Sequence, residues 1–160
     1  MNLDWKNTKI GDEITWRTII SGELSDAAMV SSLADMWDIF WSRIQLLNND
    51  VDWNAINCEY WMDSGRLILF VKHKDNMERI DKGTCEVVIM PFLKQWEKLS
   101  AQHPDSGGDF DAALRRYQKQ FSKLVIEAAK MSQSFGYLAK KKPVIEFWDA
   151  DSLCVQSWQP

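Results

Sequence analysis

Between Asp109 and Phe135 the apolar residues Phe110, Leu114, Tyr117, Phe121, Leu124, Ala128, Met131 and Phe135 recur at alternating steps of four and three. At 3.6 residues per turn this spacing puts all eight on one face of an α-helix. Arg115, Arg116, Lys119, Lys123, Glu127 and Lys130 fall between them and suit a solvated back. Asp109, after Gly107-Gly108, reads as the N-cap and Gly136 as a left-handed stop. A helix this long, with so wide an apolar stripe, has to lie against something broad, and a sheet fits best. The stretch is a scaffold and names no chemistry.

A second long helix is expected from Asp26, capped by Ser25, to about Leu47. Met29, Leu33, Met36, Phe40, Ile44 and Leu47 form one row, widened by Val30, Trp37 and Trp41, and Ser31, Asp35, Asp38, Ser42 and Gln45 form the polar row. That stripe is wide enough to touch two layers. Asn48-Asn49-Asp50 has turn composition. Ile56–Met62 and Leu67–His73 flank Asp63-Ser64-Gly65-Arg66 and read as a hairpin. With Ser64-Gly65 as the turn, Met62 pairs with Leu67, Tyr60 with Leu69 and Cys58 with Val71, all on the core side. The other face then carries Trp61 beside Ile68, Glu59 beside Phe70, and Asn57 beside Lys72. Cys85–Met90 reads as a central strand. Pro91 opens a helix in which Phe92, Leu93, Trp96 and Leu99 face inward. Val144–Trp148 and Leu153–Trp158 form a second hairpin around Asp149–Ser152.

Residues 1–11 read as a loose lead-in, Asp12–Ile20 as either helix or strand, and Lys74–Lys82 as a polar connection with a helical turn near Met77. The expected architecture is α+β: an antiparallel sheet of two hairpins plus a central strand, packed under two long amphipathic helices. At 160 residues the chain fits a single globular domain, residues 1–160.

Composition narrows the class further. No apolar run approaches the roughly 18 residues of a membrane span, and the first residues lack the layout of a signal peptide. Cys58, Cys85 and Cys154 each sit in an apolar run and read as reduced, buried thiols of a cytoplasmic protein. The formal net charge is −4, unevenly spread. Residues 1–63 are strongly acidic, while residues 109–142 carry Arg115, Arg116, Lys119, Lys123, Lys130 and Lys140–Lys142. This asymmetry predicts one acidic and one basic region, or two regions that attract each other within the fold.

Motifs of catalysis are absent. No phosphate-cradling glycine loop, nucleophile elbow or zinc-protease helix occurs. His73 and His103 are the only histidines, too few for most hydrolytic zinc sites without carboxylates. Asp-x-Asp pairs at Asp50/Asp52, Asp109/Asp111 and Asp149/Asp151 are of a kind that can hold magnesium with a phosphate substrate, and Glu146 lies near the last. They also lie at turns and helix boundaries, where aspartate is favoured for capping. No cofactor or metal is expected. The Lys140–Lys142 run is short and lacks interleaved aromatics, so no nucleic-acid partner is expected.

Nine tryptophans remain. Helical spacing assigns Trp37, Trp41 and Trp96 to the core. Trp5, Trp53, Trp61 and Trp158 lie in turns, near the ends of the chain, or on the second hairpin face. Tryptophan dominates binding hot spots because it gives large contact area at low entropy cost. The expected function is a small cytoplasmic protein-binding inhibitor, not an enzyme, acting by occluding a partner protein. Its size, acidity and missing motifs fit the profile of toxin-immunity proteins and phage-encoded inhibitors of defence enzymes. The expected partner-binding residues are Trp61, Glu59, Ile68 and Phe70, with Asp35 and Asp38 steering a basic partner. The alternatives are a metal-dependent enzyme using Asp149, Asp151 and Glu146, and a small-ligand module with a greasy cleft.

Overall fold

The computed structural model describes residues 3–10, 13–45, 53–73, 79–105, 107–150 and 153–160. The turn expected at Asn48–Asp50, the helical turn near Met77 and the positions Asp52 and Asp151 lie outside them. In chain order the elements are β1 (Lys6–Ile10), β2 (Glu13–Ile20), α1 (Asp26–Ile44), β3 (Trp53–Trp61), a 3₁₀ turn (Met62–Ser64), β4 (Arg66–His73), β5 (Arg79–Ile89), α2 (Met90–Gln102), α3 (Gly108–Met131), α4 (Phe135–Lys141), β6 (Val144–Asp149) and β7 (Leu153–Trp158).

The strands form one mixed sheet in the order β1-β2-β5-β4-β3-β6-β7. The class is α+β as expected, but the sheet is not antiparallel throughout. β2 runs parallel to β5 and β3 parallel to β6. Parallel neighbours need long crossovers, and the chain supplies two of them, one containing α1 and the other α2, α3 and α4. Strand-like patterns carry no direction, so this was invisible in the sequence. The N-terminal stretch is also more ordered than expected, since Lys6–Ile10 pairs with β2 as an edge strand. Residues 13–20 resolve to strand, and β5 begins at Arg79 instead of Cys85.

The β3–β4 hairpin has the expected faces with a register shifted by two. Tyr60 lies opposite Leu67, Cys58 opposite Leu69 and Ile56 opposite Val71. The 3₁₀ turn takes up Met62, which was expected to pair, and a shift of two returns every side chain to its own face. Gly65 closes this turn with φ of +67°. Its carbonyl accepts from Ile89 N–H at 2.7 Å, which ties the turn to the start of α2. Pro91 sits in the first turn of α2, as expected.

The four described helices cover one face of the sheet. Trp37 Nε1 of α1 donates to the Val125 carbonyl of α3 at 2.9 Å, and the Arg43 guanidinium of α1 lies 3.6 Å over the Trp16 ring of β2. Phe92 of α2 meets Tyr60 of β3 and Phe121 of α3 with ring centroids at 5.9 and 4.6 Å. Tyr137 of α4 stacks on Trp41 of α1. Beneath them Ile56, Cys58, Tyr60, Leu67, Leu69, Val87, Ile89, Ile145 and Phe147 are fully buried.

The long C-terminal stretch behaves as two helices. α3 stops at Met131, with Ser132 extended and its hydroxyl donating to the Ala129 carbonyl, and Gly136 lies within α4. Asp109 is in the first turn of α3, whose N-cap is Gly107. The buried side of α3 is turned from the apolar stripe. Gln118, Ser122, Val125 and Ala129 are buried, Leu124 is half-buried, and Met131 is 69% exposed. Two polar residues enter the core here because the sheet below offers them partners.

Two substitutions check this packing. A Cβ on Gly65 would stand 2.9 Å from Leu93 Cγ and 3.3 Å from the Ile89 carbonyl oxygen, at a φ that side chains rarely adopt. Gly65→Ala is therefore expected to cost about 2 kcal/mol in a urea titration, and a change below about 0.5 kcal/mol would show that the turn relaxes freely. Phe121→Ala should cost about 3–5 kcal/mol and the half-buried Leu124→Ala clearly less. The reverse ranking would place the core on the other side of α3.

Candidate partner-binding face

β-Strands alternate their side chains, so a sheet covered on one face has a second population pointing the other way. Here that population begins with Arg17 of β2, Glu86 of β5, Ile68 of β4, Glu59 of β3 and Trp148 of β6, which follow one another across the sheet. A second row runs Ile19, Val88, Arg66, Trp61. Phe70, Asn57 and Glu146 continue on the opposite flank. No described helix or strand lies over these residues.

The face is nonetheless closely knit. Glu86 has a side chain only 3% exposed and binds two guanidiniums, Arg17 through Nε and Arg66 through Nη1 at 3.0 Å. A buried carboxylate is tolerable when it is paired and hydrogen-bonded in this way. Arg66 also lies 5.5 Å over the Trp61 ring, and Lys72 Nζ lies 5.5 Å over the Trp148 ring, within the range of cation–π attraction. These long side chains screen the sheet centre, leaving Ile68, Phe70 and Asn57 buried. Asn57 Oδ1, Trp61 Nε1 and Trp148 Nε1 have no hydrogen-bond partner among the described residues. Unsatisfied buried polar atoms are uncommon, and three of them share this face.

The expected site divides in two. Trp61, Glu59, Ile68 and Phe70 come together on the uncovered face. Asp35 and Asp38 are on α1, across the sheet. Asp38 Oδ1 accepts from Ser134 N–H at 3.0 Å and from the Ser134 hydroxyl at 2.6 Å, so it fixes the start of α4. Asp35 is half-buried, with Oδ2 unpartnered. Sequence reasoning missed Trp148, Arg17, Arg66 and Glu86. Alternation within Val144–Asp149 does set Trp148 apart from buried Ile145 and Phe147, but nothing in the sequence places β6 beside β3.

The tryptophans divide as well. Trp53, expected near the surface, is buried against Trp41. Trp37 and Trp41 are core, as expected, and Trp96 is half-buried against it.

A separate polar group is enclosed under α3. The Tyr60 hydroxyl donates to Ser122 Oγ at 2.6 Å, the Ser122 hydroxyl donates to the Gln118 carbonyl at 2.8 Å, and Gln118 Nε2 donates to Asp149 Oδ1 at 3.4 Å. Burial pushes the Tyr60 phenol well above its ordinary value, with partial relief from Ser122. Asp149 therefore points to the helix side, whereas Glu146, three residues earlier, points to the uncovered face. Among the described residues no three His, Cys, Asp or Glu gather closely enough to hold a metal. No helix among them is long and apolar enough to cross a membrane.

A cleft of about 550 Å³ opens between α1, α2 and α3, floored by Met29, Tyr117, Phe121 and Leu124 and edged by Lys94, Lys98, Glu23 and Asp26. No family model, curated protein or solved structure matches the chain.

The cysteines depart from expectation at one position, because Cys58 and Cys85 are buried but Cys154 is exposed. Burial pushes the Cys58 and Cys85 thiols far up. Cys154 is also raised, first by partial burial and then by Glu146. The thiolate is the reactive form, so a native chain should consume one equivalent of a thiol reagent, faster as pH rises, and three after denaturation. Three equivalents from the native chain would contradict the buried placement. Asp38→Ala should cost about 1 kcal/mol of stability, as a lost helix-start acceptor does; a denaturant midpoint equal to wild type would remove that role.

Proposed function

We propose that the chain is a protein-binding inhibitor that seats its partner on the uncovered sheet face, with Trp61 and Trp148 as anchors. The observation that carries this reading is the coincidence of two tryptophans, buried Ile68 and Phe70, and three unpartnered polar atoms on the one face that no described element covers. Aromatic anchors over an apolar centre with a charged rim is the usual anatomy of an interface. The two indole N–H groups and the amide oxygen are themselves buried, so they can bond to a docked surface only once the side chains around them are displaced.

The rim refines the partner's chemistry. Arg17, Arg66 and Lys72 stand against Glu59 and Glu146, so the face is mixed in sign. A partner carrying charges of both signs fits it better than the basic partner expected from acidic residues around Trp61. Asp35 and Asp38, on the far side, have no part in this face. Occlusion is the natural mode of action for such a surface, in keeping with an inhibitor of the toxin-immunity or anti-defence kind.

The cleft between α1, α2 and α3 favours a second reading, a small-ligand module. Its apolar floor suits a modest amphipathic ligand, and its rim is mixed in sign, with Lys94 paired to Glu23 at 3.5 Å and Lys98 and Asp26 beside them.

The deciding experiment is co-purification with the product of a neighbouring gene, followed by calorimetry. Trp61→Ala and Trp148→Ala should each cost roughly 2 kcal/mol or more in affinity with the circular dichroism of the native chain retained. Lys94→Ala with Lys98→Ala should leave affinity unchanged. Intact affinity in both tryptophan variants would sink the sheet-face reading, and loss with the lysine pair would move the site to the cleft.

A further inference from the structure

An open sheet has two edges, and here they differ. An edge strand presents unpaired N–H and C=O groups, and proteins guard such strands with lysines, prolines, bulges or a covering element. β1, Lys6-Asn7-Thr8-Lys9-Ile10, carries two lysines in five residues. β7, Leu153-Cys154-Val155-Gln156-Ser157-Trp158, carries no charge and no proline. Leu153, Cys154 and Ser157 are exposed, Leu153 by 42%. No described strand pairs with its outer side.

The register makes this strand complementary to itself. β7 is irregular at Val155, because Phe147 lies opposite Gln156 while the next residue, Trp148, lies opposite Cys154. Leu153 and Trp158, five positions apart, therefore both fall on the helix side, opposite Asp149 and Ile145. Cys154 and Ser157 both fall on the uncovered side, opposite Trp148 and Glu146.

We infer that β7 pairs with the β7 of a second copy, antiparallel, about a two-fold axis passing between Val155 and Gln156. Leu153 then meets Trp158 of the second copy, Cys154 meets Ser157, and Val155 meets Gln156, every pair twice. Exposed Leu153 gains an aromatic neighbour on its own face, and no like charges are brought together. The irregularity at Val155, which would spoil a regular incoming strand, is matched by its own copy across the axis. Trp148 lies beside Cys154, so the pairing joins the two uncovered faces into one surface. The inference rests on strand register and composition alone, and it stands or falls separately from the proposed function.

The register supplies its own test. Directly opposed residues hold their Cβ atoms about 4.5–5.5 Å apart, close to disulfide reach. The two Cys154 residues would be offset by three positions, about 10 Å along the strand, and out of reach of each other. Ser157→Cys should therefore give a disulfide-linked dimer on mild oxidation, lost when Cys154→Ala is added and absent in wild type. In sedimentation the wild-type chain should dimerise with rising concentration. Cys154→Lys with Ser157→Lys, at two exposed positions, places lysines directly opposite each other and should weaken that dimer at least tenfold with circular dichroism unchanged. A chain that stays monomeric up to hundreds of micromolar overturns the inference. So does a dimer that survives the double lysine variant, because it would use another surface. Protection of β7 amides by a different protein, with no self-association, would assign the edge to that partner instead.

Discussion

Tyr60 is the point on which the two layers depend. Its ring touches Phe92 of α2, Phe121 of α3 and Phe147 of β6, and its hydroxyl reaches Ser122 of α3. One buried side chain thus links two neighbouring strands to two helices. Its phenol hydrogen bond has no competition from water, which is where such a bond is strongest. The polar chain onward through Ser122 and Gln118 to Asp149 explains why α3 turns two hydrophilic residues inward. The rotation of α3 follows from that, and so does the opening of the cleft at Tyr117 and Leu124.

With the described helices on one side, no described element covers the other face of the sheet, and its own side chains knit it together. Arg66 lies across Trp61 and Lys72 across Trp148, and Glu86 is buried between Arg17 and Arg66. Such an arrangement screens an apolar centre without enclosing it. The same feature that makes the face stable makes it suitable for docking, since long cations can be displaced or can bridge to a partner.

Much of this candidate face was legible before the fold was known. Trp61, Glu59, Ile68 and Phe70 were separated from the core by alternation alone, and an error of two in register did no harm because the side-chain period is two. Asp35 and Asp38 lie apart from that face for a different reason. Helical spacing identifies a polar row, but it does not say whether that row faces solvent or a neighbouring helix, and Ser134 is 96 residues away from Asp38. Trp148 and Glu86 were missed because their neighbours on the face come from strands distant in the chain.

The sequence by itself determined the α+β class, the existence of α1, α2 and α3, both hairpins, and the division of β3 and β4 into two faces. These follow from periods of 3.6 and 2.0 and from local turn chemistry, which act over a few residues. Only the tertiary structure decided that β3 runs parallel to β6, that the described helices share one side, and that α3 turns Gln118 and Ser122 into the core. Each of those depends on which distant strand or side chain supplies the partner, and local spacing carries no record of that choice.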